Sequence, residues 1–185
     1  MKVQQIGQKF YSRKNNMISE NIELKAEEIL NNLNIKNIPI PIEDIATKMQ
    51  IKISRAPSKE FSGLLIRKDG RSLIGVNSDE APVRQRFTIA HELGHLFLHP
   101  AKDAFVDYRN YKNETHDFDS DQKEKQANRF AAALLMPRKN LIKDYKSLSK
   151  NLIEDEICIL LSKRYEVSED AMKYRLKNLG LQLGL

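Results

Sequence analysis

The sequence predicts an α+β domain, and three observations carry that expectation. Apolar residues recur at helical spacing near both ends of the chain. Between them, alternating segments around Asp69-Gly70 describe a small sheet. Two later segments, RFTIAHELGHLFLH and DQKEKQANRFAAALLMP, are apolar enough to form the centre of a core. With 185 residues, 30% of them charged and 41% hydrophobic, the chain suits one soluble globular domain.

The elements follow in order. Residues 1–22 are polar and are expected to form an N-terminal arm, with 23–185 as a single domain. Leu24, Ala26, Ile29, Leu30 and Leu33 fall at helical spacing and predict a first helix from Glu23. Pro39 and Pro41 hold the next segment extended, and Ile42, Ile45, Ala46 and Met49 then mark a short second helix. IKISRA, FSGLLIR and SLIGVN read as strands, and Asp69-Gly70 supplies the positive φ angles of a tight hairpin turn. A small antiparallel sheet is the expected result. Ser78 or Asp79 offers an N-cap for the following helix, Pro82 fits its first turn and Pro100 ends it. Residues 101–119 lack a period and read as a long surface loop, more often functional than idle. A helix from about Asp121 to Met136 stops before Pro137. The stretch 152–185 is expected to be a helical tail packed on the domain, its two helices separated by Val167-Ser168.

Composition narrows the function classes. No run reaches transmembrane length, and MKVQQIGQKFYSRKNN lacks the apolar centre of a secretory leader. The single cysteine, Cys158, excludes an internal disulfide framework and a cysteine-built zinc site. A cytoplasmic protein without membrane attachment is expected. The net charge is +6, yet Lys123, Lys125, Arg129, Arg138, Lys139, Lys143 and Lys146 alternate with acids and apolar positions. That pattern describes a solvated surface rather than a phosphate-binding patch, so direct nucleic-acid binding is not expected.

The chemistry concentrates in one helix. Of four histidines, His91, His95 and His99 are spaced by four and share a helix face. Burying imidazoles costs free energy unless they are paired. His91-Glu92-Leu93-Gly94-His95 is an HExxH motif, in which two rings one turn apart can grip one zinc ion. Glu92, about 100° round the helix, is placed to take a proton from an attacking water. The plainer alternative is a core helix carrying satisfied histidines. Gly94 in mid-helix costs about 1 kcal/mol relative to Ala, so the close approach of a neighbour or of a substrate is expected there.

A catalytic zinc takes three protein ligands and keeps an open position. Glu124 heads the stripe Ala127, Phe130, Ala131, Leu134 and Leu135, an odd place for an acid unless a cation awaits it. It could instead form a capping box with Asp121; beside HExxH, the ligand role is preferred. Asn128 either accepts the free N–H of a ligating histidine or is an ordinary flank residue. His99 stands about 12 Å along the axis from His91, too far for one ion to bridge, and suits a helix end. His116, Tyr108 and Tyr111 are candidates to stabilise an oxyanion, with plain loop roles as the alternative. Ligand type puts zinc first, with manganese and iron left open.

RFTIAHELGHLFLH followed by EKQANRFAAALLMP resembles the ImmA/IrrE metallopeptidases. The preceding helix, the IPIPIEDIA segment, the hairpin and the closing LSKRYEVSEDAMKYRLKNLGL extend the likeness from about residue 23 to the end. The resemblance implies a minimal zincin-like peptidase, with His91, His95 and Glu124 on zinc and Glu92 as base. It also implies an anti-repressor that acts on a helix-turn-helix repressor. Some members add a sensory domain; this chain is expected to be too short for one, which leaves control to a partner, expression level or the arm. Its Glu-x-x-x-Asn pairing departs from the Glu-x-x-x-Asp of thermolysin-like enzymes and is expected to tune the metal less strongly.

The competing class is a non-catalytic or DNA-binding regulator using the tail. There Val167-Ser168 would form the turn of a helix-turn-helix, Ala171, Met172 and Leu176 would pack, and Lys173, Arg175 and Lys177 would face outward. Glu169 and Asp170 stand where a recognition helix should meet DNA, which opposes that reading.

Overall fold

The Asp69-Gly70 turn organises the sheet. In the computed structural model, which describes residues 2–100, 104–108 and 118–181, both turn residues have positive φ, 51° and 72°. They join β2 (Phe61–Lys68) to β3 (Arg71–Asn77) in the expected antiparallel hairpin, with Lys68 opposite Arg71. β1 (Ile51–Ala56) and β4 (Ala104–Tyr108) complete a four-stranded sheet in the order β1-β3-β2-β4.

The sheet is mixed, which corrects the antiparallel expectation. β1 runs parallel to β3, with Ile51 beside Ser72 and Ala56 beside Asn77, while β4 pairs antiparallel with β2. The short connection from β1 to β2 spans two strand spacings, about 10 Å, and β3 occupies the slot between them. Asn77 fastens this crossover from the end of β3. Its side-chain carbonyl accepts from the backbone N–H of Ser58 and of Asp79, each at 3.0 Å. Its amide donates to the carbonyls of Ser58 at 2.8 Å and Phe61 at 3.1 Å. Asn77 is wholly buried, and those bonds satisfy it. β4 lies within a stretch expected to be loop. The rest of that stretch, His116 and Tyr111 included, lies outside the described residues.

The helices are α1 (Lys2–Asn32), α2 (Ile42–Lys48), α3 (Pro82–Leu98), α4 (Phe118–Leu135), α5 (Arg138–Leu148), α6 (Glu154–Tyr165) and α7 (Glu169–Asn178). α1 is continuous through residue 22, and Ile22, Ala26, Ile29 and Leu30 form its buried face. Leu24, counted on that face from sequence, is exposed. α3 starts at Pro82 with Ala81 as N-cap rather than Ser78 or Asp79. Those two are already engaged: the Ser78 N–H donates to the Ala56 carbonyl, and the Asp79 N–H to Asn77.

α3 and α4 make the most extensive helix pair, at the centre of the core. The stripe Ala127, Phe130, Ala131, Leu134 and Leu135 is wholly buried, as its spacing predicts. α5 was not foreseen. In the tail, Glu166 takes a left-handed conformation to end α6, and the Ser168 hydroxyl accepts from the Ala171 N–H to start α7. Met172 and Leu176 pack inward as expected. Arg175 does not face outward. It is buried, donating to the Met136 carbonyl at the end of α4 and pairing through both terminal nitrogens with Glu23 of α1. No described helix is long and apolar enough to cross a membrane.

Candidate metal centre

Gly94 lets the two central helices meet. A Cβ built there would lie 2.9 Å from the Ala127 Cα and 3.0 Å from its carbonyl oxygen. Of the two approaches that the sequence allows, neighbour or substrate, a neighbour is present: the backbone of α4. One turn before Ala127, α4 presents Glu124 to the face of α3 that carries His91 and His95.

Those three side chains converge. His91 Nε2 stands 3.1 Å from Glu124 Oε2, His95 Nε2 stands 3.1 Å from Glu124 Oε1, and the two Nε2 atoms are 3.0 Å apart. Two donors about 2.0–2.1 Å from one tetrahedral ion stand roughly 3.3 Å apart, so the spacings fit a single metal with small adjustments. Among the described residues this is a group of ligand atoms able to hold a metal ion.

The donor chemistry fits as well. His91 Nδ1 donates to Asn128 Oδ1 at 2.9 Å, which leaves His91 Nε2 with its lone pair turned towards Glu124. A carboxylate is ionised near neutral pH, so Glu124 brings a negative charge to this cluster. A nitrogen lone pair and a carboxylate turned towards one another form a site suited to a cation.

Glu92 is wholly buried on the same helix, and its carboxylate lies against β2. A Cβ at Gly63 would come 2.7 Å from Glu92 Oε1 and 2.4 Å from Thr88 Cγ2. Only a glycine leaves room for the glutamate there. His99 is not one of the three converging residues. Instead its Nδ1 lies 3.3 Å from His95 Nδ1, and its Nε2 lies 3.0 Å from Gln126 Oε1. Burial lowers its pKa below the ordinary imidazole value. Arg67 of β2 donates to the carbonyls of His95 and His99, both at 2.9 Å, and so holds the end of α3.

Residues 46–177 match the sequence profile of the IrrE N-terminal-like domain of the M78 peptidases. The chain belongs to that family. The M78 match spans β1 to α7 and includes all three converging residues. M78 peptidases typically depend on a metal, in keeping with the donor set. A solved structure described as a Mycobacterium tuberculosis transcriptional regulator shares the fold, with a TM-score of 0.60 and 14% identity. The alignment covers 85% of this M78 chain and 46% of the mycobacterial one, so the chain spans just under half the length of that relative. No curated protein matches this M78-family chain.

The geometry thus brings together His91, His95 and Glu124, and places Asn128 against His91. Tyr108 pairs through its backbone with Phe61, and its side chain lies outside the described residues. Gly63, Arg67 and Gln126 were missed from sequence. The usable signal is the third histidine, one turn beyond His95, whose spacing offers a partner for His95 as readily as a ligand or a helix-end cation.

Proposed function

We propose that this M78 peptidase is a zinc-dependent endopeptidase that relieves transcriptional repression by cleaving a helix-turn-helix repressor in the cytoplasm. The observation that carries the catalytic half is the convergence of His91, His95 and Glu124 beside a buried Glu92. Two imidazoles and one carboxylate are a donor set that zinc favours, and three protein ligands leave a position open for chemistry. A divalent ion held there would supply Lewis acidity to a peptide carbonyl and to the attacking water.

The chain's own groups do the rest. Glu92, pressed between α3 and β2, accepts the proton that water gives up as its oxygen adds to the carbonyl carbon. It returns that proton to the departing amine as the C–N bond breaks. Asn128 holds His91 in the tautomer that keeps Nε2 turned inward. Support for the regulatory half comes from the family and from the description of the mycobacterial relative as a transcriptional regulator. The DNA-binding alternative loses one of its three tail cations, because Arg175 is committed to the core.

Elemental analysis and repressor digestion of the full chain, of Glu124→Ala and of Glu92→Gln test this reading. One zinc per chain is expected in wild type and in Glu92→Gln, and little in Glu124→Ala. Cleavage should fall by about 10²–10⁴-fold in Glu92→Gln. Undiminished turnover by that variant would sink the mechanism. Manganese or iron in place of zinc would revise the metal alone.

A further inference from the structure

We propose that His99 and Gln126 are positioning residues that fix the tautomer of His95, through a relay running from α4 back to the metal site. The inference rests on reading His91, His95 and Glu124 as metal ligands. It begins at a carbonyl oxygen. Gln126 Oε1 can only accept, so His99 Nε2, 3.0 Å away, carries that ring's hydrogen. A neutral imidazole has one N–H, which leaves His99 Nδ1 bare. His95 Nδ1 lies 3.3 Å from it and must therefore be the donor. The hydrogen of His95 is then on Nδ1, and the lone pair of its Nε2 faces Glu124.

The same helix thus sets both rings. His91 is held directly by Asn128, and His95 is held through His99 by Gln126. Glu124, Gln126 and Asn128 are alternate residues of α4, so one element supplies the third ligand and the terminus of both relays. Arg67 adds the backbone half of the constraint. Its guanidinium donates to the carbonyls of His95 and His99 and so ties the last turn of α3 to β2. The third histidine of the ladder therefore acts through the second, without touching the metal.

The test uses the full chain with Gln126→Leu, which removes the acceptor, and Gln126→Glu, which keeps one. Gln126 is only half-buried, so both variants should unfold at the wild-type midpoint when metal is chelated. Long-range ¹H–¹⁵N correlation of the imidazoles, in mildly alkaline buffer where they are neutral, reads the tautomer directly. The expected wild-type result is hydrogen on Nδ1 of His95. Gln126→Leu should lose that preference and bind zinc about 10–100-fold more weakly, while Gln126→Glu retains both. Hydrogen on Nε2 of wild-type His95 overturns the relay, as does a Gln126→Leu variant with unchanged tautomer and zinc affinity. If the chain binds no zinc but His95 carries its hydrogen on Nδ1, the relay stands and the metallopeptidase reading falls. Equal zinc binding by all three chains, with His95 protonated on Nε2, rejects the relay and leaves that reading intact.

Discussion

Replacing Gly94 by Ala sets two effects of known size against each other. In an open helix the change would stabilise by about 1 kcal/mol, because Ala is the better helix former. Here the new methyl would stand 2.9 Å from the Ala127 Cα and 3.0 Å from its carbonyl oxygen. Carbon atoms pack at about 3.5–4.0 Å, so α4 must retreat by roughly 0.6–1 Å. The obstacle is backbone, and no side-chain rotation relieves it. Overpacking of this kind costs about 1–3 kcal/mol, which cancels the propensity gain and leaves a net loss of up to about 2 kcal/mol. For a chain of this size that is a fall in Tm of up to about 4–8 °C. The second consequence is sharper. Glu124 rides on the same helix one turn away, and metal–ligand distances tolerate only about 0.2 Å. Zinc affinity should therefore drop at least about tenfold, even though no ligand has been changed. Thermal unfolding with chelator present, followed by zinc titration of the refolded chain, separates the two effects. A variant that is about 1 kcal/mol more stable and binds zinc like wild type would refute the reasoning.

Two other changes probe the site and the core. Gly63→Ala places a methyl 2.7 Å from Glu92 Oε1; displacing the base by about 1 Å should cut cleavage about 10²-fold at unchanged zinc content, and normal turnover would show that the contact does not position Glu92. Tyr165 is wholly buried and donates to Asp144 at 2.8 Å; burial first, and then that bond, raise its pKa. A raised folded pKa contributes stability that is fully present below the unfolded value of about 10 and is lost as pH rises through the folded value. Denaturant unfolding of Tyr165→Phe should show a loss of about 1 kcal/mol near neutral pH and a shallower decline than wild type above about pH 10. Parallel declines would show that Tyr165 does not govern stability in that range.

The candidate metal centre was legible because its parts are local or periodic. HExxH places two rings one turn apart, whatever surrounds them. Glu124 stood out because the stripe it heads is otherwise apolar, and that stripe proved to be wholly buried. Gly94 was suspect from its cost alone. What escaped depends on distant partners. β1 lies parallel to β3 because Asn77 secures the crossover, and nothing in the spacing of IKISRA and SLIGVN reveals an inserted strand. β4 draws its order from β2, not from any period of its own. Arg175 reads as a surface cation until Glu23 and the Met136 carbonyl meet it. Gly63 carried no warning, since a glycine in a strand can mean a bulge, a bend or, as here, a carboxylate behind it.

The Arg175 clamp also bears on the order in which the site is completed. The Met136 carbonyl, just past the end of α4, finds its donor on a residue 39 positions later, and that donor is steadied by Glu23 of α1. All three converging residues are therefore synthesised before the residue that closes the clamp. Until α7 follows, a nascent chain carries the parts of the candidate centre on an α4 whose end is still uncapped, and the clamp then ties α7 to α1.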